Sequence, residues 1–169
     1  MKTKVIMTLV AVFMQLTAFA QHSPDFAEKF MSIYNNDSTL ACVTISPKMM
    51  MQLVKKNDEK DCDEKRPENI LQAISKLKSA RIVTGKADYY EKAEQLLIKN
   101  NKRFLPGQDY QTEEQRGAFY TRKDKKGQTV ELIMLYAEPE KKLFTIINLT
   151  GDIDEEFLCF LYNNKTFKN

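Results

Sequence analysis

One histidine, His22, stands in the whole chain. A Ser–His–Asp triad or a multi-histidine metal centre needs imidazoles held inside the fold. His22 would be the second residue of a chain cleaved after Ala20, where a chain is seldom tied down, so the common hydrolase chemistries are excluded and no enzyme activity is expected. Cysteine is scarce too. Cys42, Cys62 and Cys159 allow at most one internal disulfide and leave one thiol over. No C-x-x-C occurs, which excludes thioredoxin-like redox work, and no ligand pair has zinc-finger spacing. Cys42 falls in a strand and Cys159 in the last helix, so both read as buried. Cys62 sits in a charged stretch and reads as the free thiol. Spacing does not decide the pairing.

A dominant charge is also missing. The formal net charge is +3 and falls to about +1 without Lys2 and Lys4. Acids and bases are interspersed, which describes a solvated surface rather than a nucleic-acid footprint. There is no internal repeat and no low-complexity segment. Beyond the first twenty residues no apolar run is long enough to span a bilayer. Those twenty are a basic start, "MKTK", an apolar run, and the small residues Ala18 and Ala20 before Gln21. That is the pattern of a secretory signal cleaved after Ala20. Residues 1–20 are therefore expected to leave, and 21–169 to form one domain that is periplasmic or extracellular. No cysteine at the cleavage point offers a lipid anchor.

What remains alternates helix and strand signals. Ser23-Pro24-Asp25 opens a helix with Ser23 as the cap, and Phe26, Phe30, Ile33 and Tyr34 share a face. "LACVTIS" (residues 40–46) is a strand. Ser46-Pro47 opens a second helix, a charged loop follows, and Pro67 starts a third. "ARIVTG" (residues 80–85) is a strand. Asp88 with Glu91 matches a capping box. Phe104 to Gly107 reads as a turn. Strands follow at 115–123, 128–137 and 143–149, and Asp152 with Glu155 caps a last helix. The expected fold is α+β, a two-layer sandwich. It has a mixed five-stranded sheet with a C-terminal three-strand meander and helices mainly on one face.

Each chemical motif has a plainer reading. "SPKMMM" (residues 46–51) offers three sulfurs, but helical neighbours point about 100° apart and do not converge on a soft metal. They read as core filler, with Met51 on a wetter side and available to a partner. Ser75-x-x-Lys78 lacks the companion motifs of penicillin-recognising enzymes. Asp152 to Glu156 lacks the spacing of a calcium loop. No cofactor or metal is expected. Arg116, Arg122, Lys123, Lys125 and Lys126 cluster around one hairpin with Phe119 and Tyr120. The plain reading is a solvated hairpin that guards a sheet edge; an anionic envelope partner is the alternative, and an exported chain meets little nucleic acid. Asn36, Asn148 and Asn164 head N-x-S/T triplets.

Three segments taken in order are more specific. "VTISPKMM" (43–50), "ISKLKSARIVTG" (74–85) and "VELIMLYAEPEKKLFTIINLTGDIDEEFL" (130–158) resemble the bacterial exported family catalogued as domain of unknown function 4252. The shared features are Ile45-Ser46, the helix-to-strand join Leu77 to Ile82, and the G-x-I-D of Gly151 to Asp154. The stretch 104–114 fits the pattern poorly. The resemblance implies a small envelope domain of Bacteroides-like bacteria, with a link to envelope stress or signalling, and brings no catalytic residues. The expected function is a non-catalytic binding or interaction module with an envelope protein as partner. A small-ligand carrier and a histidine-independent hydrolase, built on paired carboxylates, are the alternatives.

Overall fold

A computed structural model of the chain describes residues 23–58 and 68–163. The expected signal segment, Cys62 and Asn164 lie outside them. The elements run α1 (Phe26–Ile33), β1 (Ala41–Ile45), α2 (Pro47–Asp58), α3 (Glu68–Lys76), β2 (Leu77–Lys86), α4 (Tyr89–Lys99) and β3 (Leu105–Gln111). They continue β4 (Arg116–Lys123), β5 (Thr129–Glu138), β6 (Leu143–Ile153) and α5 (Glu155–Asn163). No helix among the described residues is long and apolar enough to cross a membrane.

The fold is α+β, but four details of the expectation are corrected. The sheet has six strands in the order β1-β2-β6-β5-β4-β3. Every pairing is antiparallel rather than mixed. The meander therefore has four strands, because β3 joins its end. Pro106 and Gly107 hide β3 in the sequence, since both are disfavoured inside strands. An edge strand tolerates them, and the register shifts between Pro106 and Asp109.

Helices cover both faces rather than mainly one. Ile133 and Leu135 of β5 pack in one cluster with Val83, Phe144 and Ile146, under Phe26 and Phe30 of α1 and Ala93 and Leu97 of α4. Leu132 and Met134 point the other way, into a cluster with Ala80, Leu149, Ala73 of α3 and Phe157 of α5. A strand buried on both sides is apolar on both sides, and "LIML" in β5 has that composition.

The caps show how local chemistry sets the helix ends. Asp25, not Ser23, caps α1, its Oδ1 accepting from the Glu28 N–H at 2.9 Å. Ser23 instead accepts from Arg103. Ser46 does cap α2, through the Met49 N–H at 3.3 Å. Asp88 makes no side-chain cap bond and pairs with Lys92 at 3.4 Å. Asp154, not Asp152, caps α5 through the Phe157 N–H at 2.9 Å. Asp152 accepts from Gln128 across the sheet.

Candidate interaction surface

The most heavily used polar groups lie under α1. Four neighbouring strands supply Arg81 (β2), Asn148 (β6), Glu131 (β5) and Arg122 (β4) to the same face of the sheet. Glu131 and Asn148 are fully buried. The first amides of α1 have no partner inside their own helix, and these side chains take them. Phe26 N–H donates to Glu131 Oε1 and Ala27 N–H to Asn148 Oδ1, each at 2.7 Å. Asn148 Nδ2 donates to Glu131 Oε1 at 3.2 Å. Arg122 Nε donates to Glu131 Oε2 at 2.6 Å. Arg81 pairs with Asp25 and, at 3.1 Å, with Glu28. Both oxygens of the buried acid are thus engaged, Oε1 by the α1 amide and Asn148 and Oε2 by Arg122, and the positive helix end favours the carboxylate. Sequence reading missed this group; its one signal was a lone Glu inside an apolar strand.

The expected basic surface divides. Arg116 opens β4 and Lys123 ends it, about 24 Å apart at strand rise. Arg116 pairs with Glu91 at 2.9 Å and lies over the Tyr90 ring at 4.1 Å. Arg122 is spent on Glu131. Lys123, Lys125 and Lys126 remain exposed at the hairpin. The buried Asn148 cannot accept a glycan in the folded chain. Among the methionines, Met50 packs against the second core cluster, Met51 is half-buried, and Met49 rather than Met51 is open to solvent. Cys42 and Cys159 are both exposed free thiols, which corrects their expected burial. Cys42 is exposed because its strand forms the margin of the sheet; desolvation still raises its thiol above the ordinary value. Among the described residues no three His, Cys, Asp or Glu side chains are grouped to hold a metal.

The two edges of the sheet differ. β3 carries Pro106, Asp109 and a register irregularity, all devices that discourage further pairing. β1 reads Ala41-Cys42-Val43-Thr44-Ile45. It has no charge, no proline and no glycine, and its pairing with β2 runs unbroken from Ala41 to Ile45. Four of its five residues are exposed, Val43 at 57%. Met49 follows close by at 51%. Among the described residues one edge is guarded and the other is not.

The approach to β1 is pinned. Asp37 Oδ1 accepts from the Thr39 N–H at 2.8 Å and the Thr39 hydroxyl at 2.6 Å, and its other oxygen accepts from the Tyr89 hydroxyl. Leu40 is buried against the sheet. The bonds from Thr39 and Tyr89 hold the Asp37 carboxyl down at about 2, and the same bond pushes the Tyr89 hydroxyl up to about 12. A lowered acid contributes stability above its unfolded value of about 4, lost as pH falls through about 2. A raised tyrosine contributes below about 10, lost as pH rises through about 12. Asp37→Asn is therefore expected to bring one tyrosine titration from about 12 back toward 10, followed by NMR of ring-labelled tyrosine. Unchanged titrations would show that the loop is not held this way.

A family described as a domain of unknown function, DUF4252, matches residues 34–158. No curated protein and no solved structure matches the chain. The matched span contains all six strands and begins just after α1.

Proposed function

The chain belongs to this family of domains of unknown function, and from that premise we propose that it is a non-catalytic interaction module acting in the cell envelope after export. The observation that carries the reading is β1: an uncharged, unbulged edge strand with Cys42 and Val43 exposed, beside an exposed Met49. An unpaired strand edge is a template for another extended chain. Main-chain bonds supply affinity there and alternate side chains supply selectivity. The pinned loop before β1 presents that edge with little further ordering cost.

The test is a crosslinked pull-down of the tagged chain from the envelope of its own host. Wild type is expected to bring down one stoichiometric partner, and Val43→Lys to lose it. Val43 is exposed, so the substitution leaves the core intact, while an edge lysine opposes strand pairing. A partner that persists with Val43→Lys, or is lost on replacing Lys125 and Lys126 instead, would move the surface to the hairpin.

A further inference from the structure

We propose that the occupant of the β1 edge is a second copy of this chain, joined by antiparallel β1–β1 pairing about a two-fold axis at Val43. The inference rests on the reading of β1 as the binding edge and names its partner.

A two-fold contact places strict demands on the surfaces that form it. Such an interface sets a surface against itself, so a charged patch meets its own charge. β1 has no charged side chain to meet. Its composition is nearly symmetric about its centre. With the axis at Val43, each Val43 faces the other, Cys42 faces the Thr44 of the second copy, and Ala41 faces its Ile45. Opposed β-branched and small residues suit an antiparallel pair. Faces match as well. Val43 and Ile45 are opposite Ile82 and Ala80 of β2, whereas Cys42 and Thr44 are opposite Val83 and Arg81. An axis on Val43 keeps like faces together, as strand pairing requires.

The ends of the segment are complementary only in this direction. Asp37 precedes β1 and Lys48 follows it, and between them no residue is charged. The lowered value of Asp37 keeps it ionised, and Lys48 is exposed. Antiparallel pairing carries the Asp37 end of each copy toward the Lys48 end of the other. Parallel pairing would bring like charges together. The opposite edge offers no such contact, because Asp109 and the irregularity at Pro106 lie on it, so the assembly closes at two copies instead of growing into a filament.

The experiment is light scattering on the eluting chain, with backbone amide exchange on the same samples. Wild type is expected at twice the chain mass at micromolar concentration. Val43→Lys is expected at the single mass with its exchange on β2 to β6 unchanged, showing that it folds. Val43→Thr keeps a neutral β-branched residue and is expected to stay double. β1 amides are expected to exchange at least tenfold faster in Val43→Lys than in wild type. A single mass for wild type at every concentration, or a double mass that Val43→Lys leaves intact, overturns the proposal. The first outcome, together with a different protein captured from the host through Val43, overturns the second copy while keeping β1 as the binding edge.

Discussion

Replacing Glu131 by alanine is expected to lower folding stability by about 4 kcal/mol, because it takes an acceptor from two buried N–H donors and the counter-charge from a half-buried arginine. The donors are Phe26 N–H and Asn148 Nδ2, and the arginine is Arg122. Arg122 is 25% exposed and can recover some hydration, which keeps the figure below a full sum of penalties. Glu131→Gln retains an acceptor for the Phe26 amide and gives up the charge, so its loss should be roughly half as large. Urea unfolding of the two variants measures both numbers. Equal, small losses would mean that α1 is not anchored through this carboxylate. Amide exchange gives an independent check, since the amides of Phe26 and Ala27 should lose protection first in the alanine variant.

The second large effect is expected at Gly151. Its φ is +140°, a conformation that residues with a Cβ rarely adopt. An added Cβ would lie 2.6 Å from Leu77 Cα, 2.6 Å from the Lys76 carbonyl and 2.7 Å from the Lys78 N. All three are backbone atoms and cannot swing aside. Gly151→Ala therefore combines backbone strain with overpacking and is expected to cost about 4 kcal/mol. The register between β2 and β6 shifts at this point, between Leu77 and Ser79, and the glycine lets β6 cross the start of β2. A thermal or urea midpoint close to wild type would contradict this packing. Gly127 is the internal control. Its φ is also positive, but nothing lies within 4 Å of an added Cβ, so Gly127→Ala carries only the strain.

Gly151 also shows why the G-x-I-D stretch could be read as a motif before its reason was visible. The glycine admits a crossing, Ile153 enters the second core cluster, and Asp154 caps α5. Other elements were legible for ordinary reasons. The helical face of Phe26 and Phe30, the Ser46 cap and the strands after residue 115 all follow local chemistry. Three things did not. β3 was hidden because Pro106 and Gly107 speak against a strand except at an edge, and being an edge is a property of the whole sheet. The second covered face stayed hidden because apolar residues stand on both sides of β5, Leu132 and Met134 on one and Ile133, Leu135 and Ala137 on the other, and local pattern does not say that helices cover both. The socket of α1 was invisible because Glu131 and Asn148 find their partners more than 100 residues away in the chain. The interaction surface shifted for a similar reason. A run of basic residues is conspicuous in a sequence, yet Arg116 and Arg122 are consumed by internal pairs. An uncharged five-residue strand is inconspicuous until its place at the edge is known.

α1 precedes the matched span of the family, yet Phe26, Ala27 and Phe30 are buried in the first core cluster. A fragment beginning at residue 34 would uncover Phe144 and Ile146 and leave Glu131 and Asn148 short of donors. The functional unit is accordingly read as including α1.

The most direct measurement of the central claim is site-specific photocrosslinking of the full chain in its own host, with the reactive group placed in turn at positions 43, 106 and 125. A discrete adduct is expected from position 43, mapping to an extended segment of the captured protein, and none from position 106 on the guarded edge. Adducts from position 125 with none from position 43 would contradict that claim and give the surface back to the lysine hairpin.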